Sequence, residues 1–182
     1  DEIGLIEQRT ALINQLQQAL VEYYPAALQA FEDWTQPFCW DFILQFPTPE
    51  KLAAAGRRRW EKFLHTQKLW RPETASKRME IFQSARQFCG SAAVTSAKSL
   101  LALSLAKLLN ALQLQLDQYR QQIEALFNQH PDHDLFGSLP GAAQTLGPRL
   151  LGEIGGPPQR FEDTEALQCV AGTAPVSFQS SQ

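Results

Sequence analysis

The stretch SAKSLLALSLAKLLNALQLQLDQYRQQIEALFNQH, residues 96–130, sets Leu105, Leu112, Tyr119 and Leu126 seven apart and interleaves them with Leu109, Leu116 and Ile123. That four-three alternation is the apolar face of one long helix, and such a seam needs a partner helix. Gln113, Gln115, Gln118, Gln121 and Gln122 flank it, so ion pairs do little to specify that partner. Residues 1–24 repeat the pattern: Ile6, Ile13 and Leu20 recur every seven, with Leu16 and Tyr23 between them. Two pairings stay open, this first helix folding back antiparallel or the same segments of another copy.

Between the two arms the sequence reads as a block of short helices. In FPTPEKLAAAG, Thr48 is a cap, Pro49 suits the first helical position and Gly56 is a stop. In RRRWEKFLHTQKLW the apolar side is Trp60, Phe63 and Leu64, with Leu69 or Trp70. Pro72 breaks the chain before a further helix carrying Met79, Phe82 and Phe88. Aromatics interleaved with cations can stack nucleobases, but burial habits assign Trp34, Trp40 and Trp60 to a core. No alternating run demands a strand before residue 166, and LQCVAGTAPVSF, residues 167–178, supplies one short strand or an extended loop. The expected fold is mainly α: long antiparallel coiled-coil arms, a small helical head and a partial helix-hairpin-helix-like C-terminal module. The expected domains are residues 1–134, with the head at about 25–95, and residues 135–182.

A chain of 182 residues can bury a real core. It has no apolar run near the ~20 residues a membrane span needs and no signal pattern at its start. A soluble cytoplasmic protein with no membrane partner is the expectation. Cys39, Cys89 and Cys169 are widely spaced and odd in number, which suits buried free thiols in a reducing compartment. The start at Asp1 and the polar end SFQSSQ read as a piece of a longer protein.

The net charge of −3 hides an asymmetry. Residues 57–86 hold nine cations against three acids, a local +6, while the remainder sums to −9. Arg57, Arg58, Arg59, Lys62, Lys68, Arg71, Lys77 and Arg78 are therefore candidate phosphate contacts on DNA or RNA. The same run also reads as a solvated helix face. His130, Asp132, His133 and Asp134 are metal-capable, but Pro131 interrupts the helical spacing that would align them, so a linker is the reading and no metal is expected in this chain.

Residues 137–156, GSLPGAAQTLGPRLLGEIGG, form a turn between two helices. Leu139 would pack inward and Pro140-Gly141 would turn. A second helix from about Gln144 to Glu153 would carry Leu146, Leu150 and Leu151 on its apolar face and stop at Gly155-Gly156. The exposed N–H groups at such a helix start bind phosphate without reading sequence. Gly141, Ala143 and Arg149 are the candidate contacts, and a plain helical hairpin with no ligand is the alternative.

From Pro140 onward the chain resembles the opening of the C-terminal domain of the DEDD transposases, insertion-sequence recombinases of the one-hundred-ten and eleven-eleven type. Pro140, Gly141, Leu150, Leu151, Glu153, Ile154, Gly155, Arg160, Phe161, Ala171, Gly172, Pro175 and Ser180 fit the family run in order and spacing. The long helices and the PTPEKLAAAG block resemble the family's coiled-coil linker. Two positions depart: Ala143 stands where the second hairpin Gly is usual, and Ser181 where the family has Gly. The resemblance implies a DNA recombinase, guided by a structured RNA and acting as a homodimer or higher oligomer. It implies a serine nucleophile, Ser180 by position with Ser181 as the alternative, and magnesium held by acidic residues of a RuvC-like domain upstream of Asp1. It also implies that this piece alone is inactive. Asp132, Asp134, Glu162 and Asp163 lie outside the family's acidic motif. A non-catalytic nucleic-acid scaffold and a protein-interaction module are the competing classes.

Overall fold

Pro25, Pro37, Pro49 and Pro72 each open a helix, where the missing N–H costs nothing and the fixed φ suits the first turn. The computed structural model describes residues 2–84, 91–156 and 160–173. The helices among them are α1 (Glu2–Tyr23), α2 (Pro25–Ala30), α3 (Pro37–Gln45), α4 (Pro49–Thr66), α5 (Pro72–Ser84), α6 (Ala92–Asn128), α7 (His133–Gly137), α8 (Ala143–Ile154) and α9 (Thr164–Val170). No strand occurs among the described residues. The chain divides into two compact units, 1–119 and 120–182.

The first unit is built on one core. Leu16, Leu20, Tyr24, Trp40, Phe42, Ile43, Phe46 and Leu64 are essentially inaccessible to water, as is Leu109 of α6. Aromatic rings dominate the centre: Phe42 packs on Phe82 with centroids 5.4 Å apart and on Phe31 at 5.0 Å, and Trp60 stacks on Phe63 at 6.0 Å. Burying rings of this size hides a large apolar area per residue. Trp34, Trp40 and Trp60 are core residues, as their burial habits suggested. The Trp34 indole donates to the Phe31 carbonyl at 3.0 Å and that of Trp40 to the Trp34 carbonyl at 2.9 Å.

Two polar links run between α1 and α6. Arg9 donates to Gln113 at 2.8 Å, and Lys98 Nζ to Glu22 at 2.7 Å. An early residue of α1 thus meets a late one of α6 and the reverse, which fixes the two helices as antiparallel within this unit. Asp41 of α3 accepts from Gln67 and from Asn110, each at 3.0 Å, and so ties α3 both to the end of α4 and to α6.

The buried face of α6 departs from the heptad reading at its end. Leu105, Leu109, Leu112 and Leu116 are buried, joined by Ala102 and Ala106, but Leu126 is 69% exposed. Tyr119 and Ile123 are half-buried. A straight helix drifts against a seven-residue repeat, and in the second unit it is Phe127, not Leu126, that turns inward. By length and composition α6 could cross a bilayer. Its apolar content instead divides between the buried row and exposed Leu100, Leu101, Leu108 and Leu114.

Candidate nucleic-acid interface

The basic run lies on α4 and α5. Thr48 caps α4 as expected, its Oγ1 accepting from the Lys51 N–H at 3.3 Å. Gly56 then breaks the helix at φ 72°, ψ 172°, a backbone region open essentially to glycine alone. The break restarts the helix at Arg57, so Arg57, Arg58 and Arg59 occupy the first turn of its second half. All three are exposed. Arg57 Nε donates to Glu61 at 2.7 Å. Arg58, Arg59, Lys62, Lys68, Arg71 and Lys77 are exposed as well. Lys68 sits at φ 58° in the left-handed turn that ends α4.

Arg78 is set apart from these cations. It is half-buried, its Nε donates to the Ala30 carbonyl at 2.9 Å, and its guanidinium lies 4.8 Å over the Phe31 ring. Burial pulls its pKa down from the ordinary arginine value. Its charge is used to hold α5 against α2, a role the flat list of cations in the sequence did not reveal.

The second unit carries the glycine-punctuated turn. Between α7 and α8, Gly141 adopts φ 77° and lets the chain reverse. Leu139, expected to pack inward, is 39% exposed, while Ala142 is fully buried at the start of α8. The smaller side chain takes the inner position because α7 and α8 approach closely there. Ala143 opens α8 and Arg149 lies on its exposed side. Gly147 and Pro148, which look like helix faults in the sequence, have distinct uses. A Cβ at Gly147 would stand 3.0 Å from Phe127 Cζ and 3.5 Å from the Phe136 carbonyl, so glycine admits the Phe127 ring. The Ala142 carbonyl accepts from both Leu146, at 2.9 Å, and Gly147, at 2.8 Å. That widened turn lies just ahead of Pro148, where the helix lacks a donor.

At the end of α8 only glycine fits position 155. A Cβ there would meet the Leu151 carbonyl oxygen at 2.2 Å. Arg160 Nη1 donates to the Gly155 carbonyl at 2.6 Å and its guanidinium lies 5.4 Å from the Phe161 ring. The C-terminal stop of α8 at Gly155 is thus closed by an arginine. Residues 133–182 match the transposase IS116/IS110/IS902 family.

This segment is similar to the transposase domain of that family.

The relatives extend beyond the domain. A Streptomyces coelicolor protein, named as a candidate mini-circle transposase for IS117, is 35% identical over 182 residues, covering 96% of this chain and 43% of its own length. An uncharacterized 42 kDa protein of insertion element IS900 from Mycobacterium paratuberculosis is 25% identical over 178 residues, covering 98% of this chain and 44% of its own. The chain therefore spans less than half the length of either relative. No solved structure matches it.

Within residues 133–182, the last described helix is α9. Residues 167–170, taken for a strand or extended loop, are helical, because Asp163 caps the segment by accepting from the Ala166 N–H at 2.8 Å. Cys169, expected to be buried, is exposed, while Cys39 in the first unit is buried as expected. Pro175 and the nucleophile candidates Ser180 and Ser181 lie outside the described residues, as do Phe88 and Cys89 of the head. His130 Nδ1 accepts from the Asp132 N–H at 3.2 Å, and His133 meets the Phe127 ring at 4.8 Å, so both imidazoles are engaged locally. Among the described residues no three His, Cys, Asp or Glu side chains converge as metal ligands would.

Proposed function

We propose that the chain is part of a DNA transposase in which the α4–α5 face and the α7–α8 turn hold nucleic-acid phosphates. The observation that carries this reading is the match of residues 133–182 to the transposase family, with Gly141, Gly155 and Arg160 each given a defined backbone role. The exposed cations of α4 and α5 support it by concentrating positive charge on an otherwise acidic chain. A structured RNA supplied by the element is the second polyanion of this reading, since the same phosphate chemistry would hold it.

In the intact enzyme the Ser180 hydroxyl would attack a DNA phosphodiester, forming a serine–phosphate ester and releasing a sugar hydroxyl that takes up a proton. Serine is a weak nucleophile at neutral pH and needs a base or metal beside it. Association of two copies fits the exposed row Val94, Leu101 and Leu108, seven residues apart on α6 and interleaved with exposed Ala97, Ser104 and Ala111. That is a second heptad seam of alternating large and small side chains.

Binding of the chain to branched DNA and structured RNA across a salt series tests the phosphate face. A steep dependence that becomes shallower in the Arg57→Ala/Arg58→Ala/Arg59→Ala variant supports it; absence of binding at low salt refutes it. In the intact transposase, Ser180→Ala must abolish the covalent protein–DNA adduct. A non-catalytic scaffold would never form that adduct, and its binding would survive the substitution.

A further inference from the structure

The face of α4 and α5 is not flat. It contains a cavity of about 440 Å³, a volume in the range of small-ligand sites. Its floor is Leu52, Trp60, Ala75 and Phe82, all buried, and its side walls include half-buried Trp70 and Met79. His65 stacks on Trp70 with centroids 4.6 Å apart and 22° between planes, fixing the ring. Trp70 lines the cavity and His65 does not.

The polar groups at the mouth are of two kinds. Arg57 stands on the rim, with exposed Arg58, Arg71 and Lys77 adjacent in sequence to lining residues or to the rim itself. Glu61, Glu80, Ser76 and Gln83 also line it. Glu61 is held by Arg57, so Glu80 is the carboxylate that a phosphate-binding surface leaves misplaced unless something other than phosphate lies against it. The N–H edge of a nucleobase is such a group, and carboxylates accept from it. An indole wall, a thioether and acceptors beside Arg57, with Arg58, Arg71 and Lys77 next to lining residues in sequence, make a place for one flat heterocycle flanked by phosphates.

We propose that the α4–α5 cavity captures an unstacked base of single-stranded nucleic acid, with Trp70 and Met79 against the ring and the neighbouring cations on the flanking phosphates. This deepens the phosphate-face reading above and rests on it.

The test uses the full chain and short single strands with equal numbers of phosphates, one set carrying bases and one fully abasic, in deoxy and ribo versions. The intact strand is expected to bind about tenfold more tightly than its abasic counterpart, the size of one base–aromatic stack. The deoxy and ribo arms tell which nucleic acid supplies the base. Ser76→Trp, an exposed lining position, fills the mouth and should erase the tenfold difference while leaving abasic-strand affinity and salt slope unchanged. Trp70→Ala should do the same, with far-UV circular dichroism checking that both variants fold. Equal binding of intact and abasic strands by the parent chain overturns the cavity proposal and leaves the phosphate face standing. That same result is expected if the cavity takes an apolar side chain of a partner protein. A tenfold difference that persists in both variants places the base contact elsewhere and also overturns it. No binding of any strand at low salt overturns the phosphate face and, with it, this proposal.

Discussion

Arg78 offers the sharpest separation between a cation that builds the head and cations that face outward. Its replacement by methionine keeps the apolar stem but removes two contacts, the hydrogen bond to the Ala30 carbonyl and the guanidinium over Phe31. A charge-assisted hydrogen bond contributes about 1.5–3 kcal/mol, and the low end applies to a group only half-buried. The ring contact adds roughly 0.5–1 kcal/mol. The expected loss is about 2 kcal/mol, or about 5–10 °C in melting temperature for a unit of this size. Arg78→Lys should recover only part of it, because an ammonium cannot present the Nε–H and the flat face together. Urea titration followed by tryptophan fluorescence measures the loss, since Trp34, Trp40 and Trp60 all sit in the affected core. Lys77→Ala, one residue away and exposed, is the control and should lie within about 0.5 kcal/mol of the parent. If Arg78→Met matches the parent in midpoint and slope, the structural role assigned to Arg78 is wrong.

Four further outcomes follow from the packing. Gly56→Ala should cost about 1–2 kcal/mol in chemical denaturation: nothing lies within 4 Å of an added Cβ, so the whole cost is backbone strain at φ 72°, and an unchanged midpoint would mean that the helix does not break there. Leu109→Ala, at a site with no water contact between α6 and the core, should cost about 2–5 kcal/mol by the same titration, whereas Leu108→Ala on the exposed side should cost less than about 1 kcal/mol. Burial pushes the Cys39 thiol up to about 12 from an ordinary 9.0, and also raises the Tyr23 and Tyr24 phenols. The stability tied to keeping Cys39 protonated is fully present below pH 9 and is lost as pH rises toward 12, so the denaturation midpoint should fall across that window. At pH 8 iodoacetamide should modify Cys169 well before Cys39, as mass spectrometry of the peptides would show.

Much of the fold could be read from residue spacing, because helices announce themselves through period and punctuation. Thr48-Pro49 marked a helix start, and Gly56 marked a break that the structure places at the expected residue. The leucine repeat of α6 located its buried row as far as Leu116, but spacing carries no information about where a helix changes surroundings, so Leu126 was misassigned and Phe127 overlooked. Ala102 and Ala106 went unnoticed because alanine is equally at home on either face. At the candidate interface, charge located the cations but not their directions: Arg78 differs from Lys77 only through Ala30 and Phe31, far away in sequence. Asp163 was read as one acid among several, yet its position three residues before Ala166 was a cap signal that could have predicted α9. Gly147 is the opposite case, since its need to be small depends on Phe127 and Phe136, which no local rule connects to it.

The break at Gly56 has an energetic consequence. A helix that restarts at Arg57 gathers three guanidinium groups at its positive pole, where cations are disfavoured, and Glu61 offsets the charge of Arg57. A polyanion settling there would offset that repulsion. By mass action such a ligand stabilises the folded state in proportion to the logarithm of its concentration over its dissociation constant. If the α4–α5 face takes up polyanions as proposed, the melting temperature of this chain should rise with added polyphosphate and fall back as salt displaces it.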